Sequence, residues 1–301
     1  MTNYQLSNIV EYLTRSHINI YDSPKCDRLA TQAATGRHLR VVNPPQPPLV
    51  KGGRDGIDSL IKGGRDGIDS LIKGGRDGID SLIKGGRDGI DSLIKGGRDG
   101  IDSLIKGGRD GIDTLVQGDT TAVMVRLCED DYPGWLDIRD AELLDVADTF
   151  YNSEIFSEAE IREKLPTVIN FAHQARKQSN YYLWGGTVAP NYDCSGLMQA
   201  AFLFTGIWLP RDAYQQEAFT KPISIDDLQP GDLVFFGSRQ KATHVGLYLG
   251  ENRYIHSSGK EQGRNGIGID ILSNDGDKVS QIYYQQLRGY GKVVASYQSS
   301  C

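Results

Sequence analysis

One cysteine and two histidines mark the chemistry open to this chain. Cys194 stands in Asp193-Cys194-Ser195-Gly196-Leu197, His244 follows in THVGLYLG, and His256 in YIHSS. Thiol acyl transfer needs a nucleophile, a base that takes its proton and a polar group that orients the base, and these residue types supply all three. Taken singly, a cysteine beside an apolar run is often a small buried hydrophobe, and a strand histidine is often a satisfied structural residue. Together they favour catalysis. The same three side chains are also an acceptable zinc set in type, but no fourth ligand is evident and a helix N-terminus repels a cation. The expectation is therefore no metal and no cofactor. His17, His38 and His173 have no comparable partners in the sequence and receive no role.

The elements that must hold these groups can be read around them. Leu197, Ala200, Ala201 and Phe204 share a helical face directly after Cys194, and Gly206 is a stop signal. The sulfur should therefore sit at a helix N-terminus, where the dipole and free N–H groups stabilise a thiolate and lower the thiol pKa. The same N–H groups can receive an oxyanion. Upstream, Ser157 with Glu160 forms a capping-box signature before Ile161, Leu165, Val168, Ile169 and Ala172, which predicts a helix over SEAEIREKLPTVINFAHQARKQ. Downstream, LQPGDLVFF, HVGLYLG and RYIHSSG read as strands. Val245, Leu247 and Leu249 alternate with His244, Gly246 and Tyr248, so His244 leaves the aliphatic side of its strand. A hairpin through GENR would bring His256 within reach of His244. Helix followed by antiparallel strands makes residues 149–301 an α+β domain.

The front of the chain differs. INIYDSP and LATQAATGRHLRVV read as short strands joined by a Pro-containing turn. TAVMVRLCEDD alternates with period two, and a turn at Tyr132-Pro133-Gly134 leads into WLDI. Residues 1–50 and 117–148 are thus expected to form one small β-barrel, split by what lies between. That insert, residues 51–116, holds six near-identical copies of the eleven-residue unit KGGRDGIDSLI. Eleven residues approximate three helical turns, but three glycines per unit each cost about 1 kcal/mol in a helix interior. The expectation is a flexible loop.

A formal net charge of −6, with no basic run free of acids, argues against nucleic-acid binding. No apolar stretch is long enough for a membrane span. The N-terminal residues lack the basic start and apolar core of a secretory leader, and the four cysteines show no CxxC pair. A cytoplasmic monomer is the expectation.

Six motifs in order, namely YxWGG at Tyr182–Gly186, DCSGL, LPR at Leu209–Arg211, LQPGDLVFF, THVGLYLG and YIHSS, resemble the NlpC-type cysteine peptidases. These are papain-like peptidoglycan hydrolases, and the likeness covers about residues 155–296. It implies Cys194 as nucleophile, His244 as general base, His256 as the group that orients it, and Tyr182 as support for the oxyanion. Asp193 and Ser195 match residues on the substrate side of the nucleophile. The stretch LCEDDYPGWL resembles the bacterial SH3-like barrel that precedes the catalytic domain in cyanobacterial γ-D-glutamyl-diamino acid endopeptidases. There a tyrosine, matched by Tyr132, helps bind the substrate's free amine. The resemblance implies hydrolysis of murein peptides after γ-D-Glu, with Asp193 and Tyr132 selecting a free N-terminal L-Ala, in peptidoglycan recycling. The rival readings are zinc binding and a non-catalytic wall-binding module.

Overall fold

The computed structural model describes residues 10–42 and 121–299. The expected flexible repeat at 51–116 lies outside the described residues.

The first layer is a seven-stranded antiparallel sheet. Its strands are β1 (Glu11–Thr14), β2 (Ile18–Tyr21), β3 (Leu29–Ala33), β4 (His38–Val41), β5 (Ala122–Leu127), β6 (Pro133–Asp137) and β7 (Leu144–Val146), in the order β3-β2-β6-β5-β4-β1-β7. The alternation in AVMVRL buries Val123, Val125 and Leu127 while Arg126 stays exposed, as a half-buried strand requires. Tyr12, Ile18, Ile20, Leu39 and Leu136 complete that core. β4 and β5, which flank residues 43–120, pair with each other through Leu39↔Leu127 and Val41↔Val125. Two local expectations are corrected. Pro133 and Gly134 lie within β6, and the reversal falls earlier, at Cys128–Asp131, where Asp131 takes the left-handed conformation (φ 57°). LATQAATGRHLRVV is two strands with a reversal at Gly36 (φ 84°).

The second layer is helical. α1 (Glu158–Lys177) starts at the Ser157/Glu160 capping box and buries Ile161, Val168, Ala172 and Ala175. A short ribbon of β8 (Thr187–Val188) and β9 (Asn191–Tyr192) leads into α2 (Cys194–Leu203), and α3 (Ala213–Phe219) follows. Leu197, Met198, Ala201 and Phe202 of α2 are fully buried. At about 1.5–3 kcal/mol per large apolar side chain, that burial holds the helix carrying Cys194 in place.

The third layer is a six-stranded antiparallel sheet of β10 (Lys221–Ile223), β11 (Leu233–Gly237), β12 (Ala242–Gly250), β13 (Arg253–Ser258), β14 (Gly266–Ile271) and β15 (Leu287–Lys292), in the order β10-β15-β11-β12-β13-β14. Val245, Leu247 and Ile255 join the core with α1 and α2. On the opposite side Val234, Phe236, Tyr248 and Tyr254 pack with Val279 and Tyr283 of α4 (Lys278–Tyr284).

Buried polar contacts tie the first sheet to the helices. Arg37 pairs with Glu129 at 2.9 Å and Asp130 at 3.0 Å, and lies 4.5 Å from the Trp208 ring centroid. Gln199 of α2 donates to Asp130 Oδ2 at 2.9 Å. Thr187 Oγ1 donates to the Gln32 carbonyl at 2.8 Å. The first sheet therefore forms one wall of the groove above Cys194.

Candidate active site

Cys194 is the first residue of α2, and Asp193 is its N-cap, accepting the Gly196 N–H at 2.7 Å. The sulfur accepts backbone N–H groups from Ser195 and from Val245, the residue after His244. Those donors favour a thiolate, as expected of a helix start. Burial and the nearby Asp193 charge outweigh them and push the thiol up to about 12. The burial of the packed domain thus opposes the thiolate that the helix start favours.

His244 and His256 meet across the β12–β13 hairpin. Its turn uses Glu251 and Asn252, both with positive φ (53° and 56°), the conformation of a two-residue hairpin loop. His244 Nε2 lies 2.6 Å from His256 Nδ1. Gly246 makes room for this, since a Cβ there would stand 2.7 Å from the Tyr254 ring and 3.3 Å from His256 Cβ. The far nitrogen of His256, Nε2, lies 2.5 Å from Asp270 Oδ2. Hydrogen-bond logic then assigns the protons. A carboxylate accepts, so His256 Nε2 carries hydrogen and its Nδ1 is bare. That bare nitrogen accepts from His244 Nε2, which leaves His244 Nδ1 unprotonated and free as a base. Tyr283 stacks on the His244 ring at 4.2 Å. Burial, then the neighbouring His256, holds the pKa of His244 well below its ordinary value.

A cleft of about 320 Å³ opens over the sulfur, lined by Tyr182, Cys194 and Ser195 and, from loops of the first sheet just before β3 and β6, by Arg28 and Tyr132. Burial raises the pKa of Tyr182, so its hydroxyl remains a donor. Asp193, expected to bind the substrate amine, lines the cleft. It is buried, and its carboxylate is taken by Arg211 at 2.6 Å and by the Gly185 N–H at 2.9 Å. Arg211 also donates to Ser195 Oγ at 3.0 Å and to Thr31 Oγ1 of β3 at 2.8 Å. Tyr132 Oη instead faces Asp212 Oδ1, at 3.5 Å. Asp212 lines the cleft, and burial raises its pKa. It was missed in the sequence although it directly follows the LPR motif.

Two further residues were missed: Asp270, and Arg264, which donates to it. The zinc alternative fits poorly with this geometry, because the two imidazoles point their facing nitrogens at each other instead of converging on a third point. Among the described residues, no group of three or more His, Cys, Asp or Glu side chains is arranged to hold a metal ion. None of the described helices is long and apolar enough to cross a membrane.

Residues 179–287 match the NlpC/P60 family, so the chain carries an NlpC/P60 family domain. It is 39% identical over 95 residues to the gamma-D-glutamyl-L-lysine dipeptidyl-peptidase of Bacillus subtilis, covering 31% of this chain and 30% of that protein. Over 81 residues it is 46% identical to the bifunctional muramidase/DL-endopeptidase CwlT of the same organism, covering 26% of this chain and 25% of that one. A solved NLP/P60 family structure from Staphylococcus aureus, similar to lipoprotein, shares 28% identity and covers 54% of this chain and 52% of its own, with a TM-score of 0.37. The chain spans only about a fifth to a third of the length of the first curated relatives it matches. The first sheet lies before the family match.

Proposed function

We propose that this protein is a cysteine endopeptidase that hydrolyses the γ-D-glutamyl bond to a diamino acid in murein peptides bearing a free N-terminal L-Ala. The observation that carries this reading is the His244–His256 pair beside the strand residue Val245, whose N–H the Cys194 sulfur accepts, with a cleft over Cys194 that holds Tyr182, Tyr132 and Asp212. The relatives named as a γ-D-glutamyl-L-lysine dipeptidyl-peptidase and a DL-endopeptidase support the bond type.

His244 Nδ1 takes the thiol proton as Cys194 attacks the γ-carbonyl of D-Glu, so the ionic pair forms with the new C–S bond. The oxyanion is met by the Tyr182 hydroxyl and a backbone N–H at the start of α2. Collapse breaks the C–N bond, and His244 returns the proton to the departing amine. Water, deprotonated by the same nitrogen, then opens the thioester and regenerates the thiol.

Asp212 with Tyr132 receives the L-Ala ammonium, while Arg28 and Lys241 bring positive charge to the rim, suited to the α-carboxylate of D-Glu. The first sheet acts as the SH3-like wall that closes the cleft beyond the amine, as in the cyanobacterial enzymes. A cleft closed there favours released peptides over intact wall, which suits recycling by a cytoplasmic monomer.

The test is mass spectrometry of products from L-Ala-γ-D-Glu-meso-diaminopimelate and its N-acetyl form. The free tripeptide should yield the dipeptide and the diamino acid, with the acetylated form slower by about ten- to a hundredfold, the worth of one charged hydrogen bond. Equal rates, or scission at another bond, would remove the basis for this reading.

A further inference from the structure

His256 commits its outer nitrogen to a carboxylate that the mechanism above does not use. Asp270 is buried on β14 and splits its two oxygens: Oδ2 faces His256 Nε2 at 2.5 Å, and Oδ1 accepts from Arg264 Nη2. Arg264 comes from the loop before β14 and folds back over Gly268, where a Cβ would stand 2.5 Å from its Cδ. It also reaches Asp277 Oδ2 at 3.2 Å. Asp277 caps α4, the helix whose Tyr283 stacks on His244. The groups facing His256 are thus His244 from β12, Tyr254 from β13, Asp270 from β14 and Tyr283 from α4.

We propose that Asp270 and Arg264 are a positioning pair that sets the tautomers of both histidines and so makes His244 Nδ1 the base. The proposal rests on the reading of Cys194 and His244 as nucleophile and base. Asp270 can only accept from His256, which forces hydrogen onto Nε2 and, one bond further on, leaves His244 Nδ1 bare. Arg264 holds Oδ1, so the carboxylate cannot turn away.

The two residues make a prediction that simple structural support does not. In Asp270→Asn the guanidinium claims the one remaining oxygen, which turns the amide NH₂ toward His256 Nε2. His256 must then accept there and carry its hydrogen on Nδ1. His244 is driven to accept on Nε2 and to hold hydrogen on Nδ1, where a base is needed. A base in the wrong tautomer costs about 10²–10⁴-fold in turnover. Releasing the oxygen should undo part of the damage, because the amide is then free to rotate.

The experiment measures kcat and KM on the free tripeptide, together with ¹⁵N shifts of the histidine rings, in the full chain. In the unsubstituted protein both histidines should show hydrogen on Nε2 and a bare Nδ1. Asp270→Asn should lower kcat by about 10²–10⁴-fold with KM little changed, and move the His256 hydrogen to Nδ1. Arg264→Gln alone should cost less than about tenfold, and adding it to Asp270→Asn should regain at least about tenfold. Additive losses in the double variant, or an Asp270→Asn protein whose His256 keeps its tautomer, would overturn the proposal. So would a bare Nε2 on His256 in the unsubstituted protein, a readout that holds if Asp270→Asn fails to fold. The ring shifts need no substrate, so a wrong peptide assignment would show as absent turnover with the expected tautomers intact.

Discussion

Replacing Asp193 by Asn should cost stability heavily, because the residue braces the site from within. Its carboxylate receives Arg211 at 2.6 and 3.2 Å, the Gly185 N–H at 2.9 Å and the Gly196 N–H at 2.7 Å. Asn is a good N-cap, so the Gly196 bond survives the change. What is lost is the direct counter-charge of Arg211, which is only 1% exposed and keeps hydrogen bonds to the neutral Thr31 and Ser195 hydroxyls and the weaker pull of the nearby Asp212. Breaking a buried ion pair on one side costs about 3–5 kcal/mol. For a domain of this size each kcal/mol moves Tm by about 2–4 °C, so the fall should be on the order of 6–20 °C. Differential scanning calorimetry at pH 7 measures it. The double variant Asp193→Asn/Arg211→Met should recover much of the loss, since an apolar replacement of a buried pair is close to neutral. A single-variant shift within about 2 °C would refute the reasoning and show that Arg211 reaches solvent.

Asp212→Asn should behave oppositely: its raised folded-state pKa means that ionisation opposes folding. The stability it contributes is full below the ordinary 3.8 and declines as pH rises through the raised value. The variant should melt no lower than the parent at pH 7, yet lose about ten- to a hundredfold in kcat/KM on free-amine peptides and little on acylated ones; a lower melting point at unchanged kcat/KM would count against the amine site. Alkylation of Cys194 by iodoacetamide should rise roughly tenfold per pH unit from 7 to 10, as a thiol near 12 requires, whereas a plateau at neutral pH would reveal a preformed ion pair. Because the pKa of His244 is lowered on folding, its contribution to stability is present above 6.5 and is lost as pH falls below it; melting temperatures flat from pH 7 to 5 would contradict this. Cys194→Ala should abolish turnover with melting within about 3 °C of the parent, and a chelator should change nothing. Activity that survives alkylation but dies with the chelator would restore the zinc reading.

Local pattern alone showed the helix that presents Cys194, because an apolar face after Asp193-Cys194-Ser195-Gly196 is a periodic signal confined to a dozen residues. The Ser157/Glu160 capping box and the His244 hairpin were legible for the same reason: cap chemistry and strand alternation act between near neighbours in sequence. That Asp193 pairs with Arg211 while Asp212 faces Tyr132 was not legible. Both flank motif residues in the chain, and only folding buries Arg211 against one of them, leaving the other to face Tyr132. Asp270 was equally hidden, since it meets His256 through a strand pairing, with nothing in its own neighbourhood to mark it. The helix N-terminus that favours a thiolate is a local property and was legible, whereas the burial that opposes it comes from the whole packed domain and was not. Sequence determined which groups are available and on what elements they stand. Tertiary structure alone decided which charges are paired, because pairing depends on distances of a few ångströms between residues far apart along the chain.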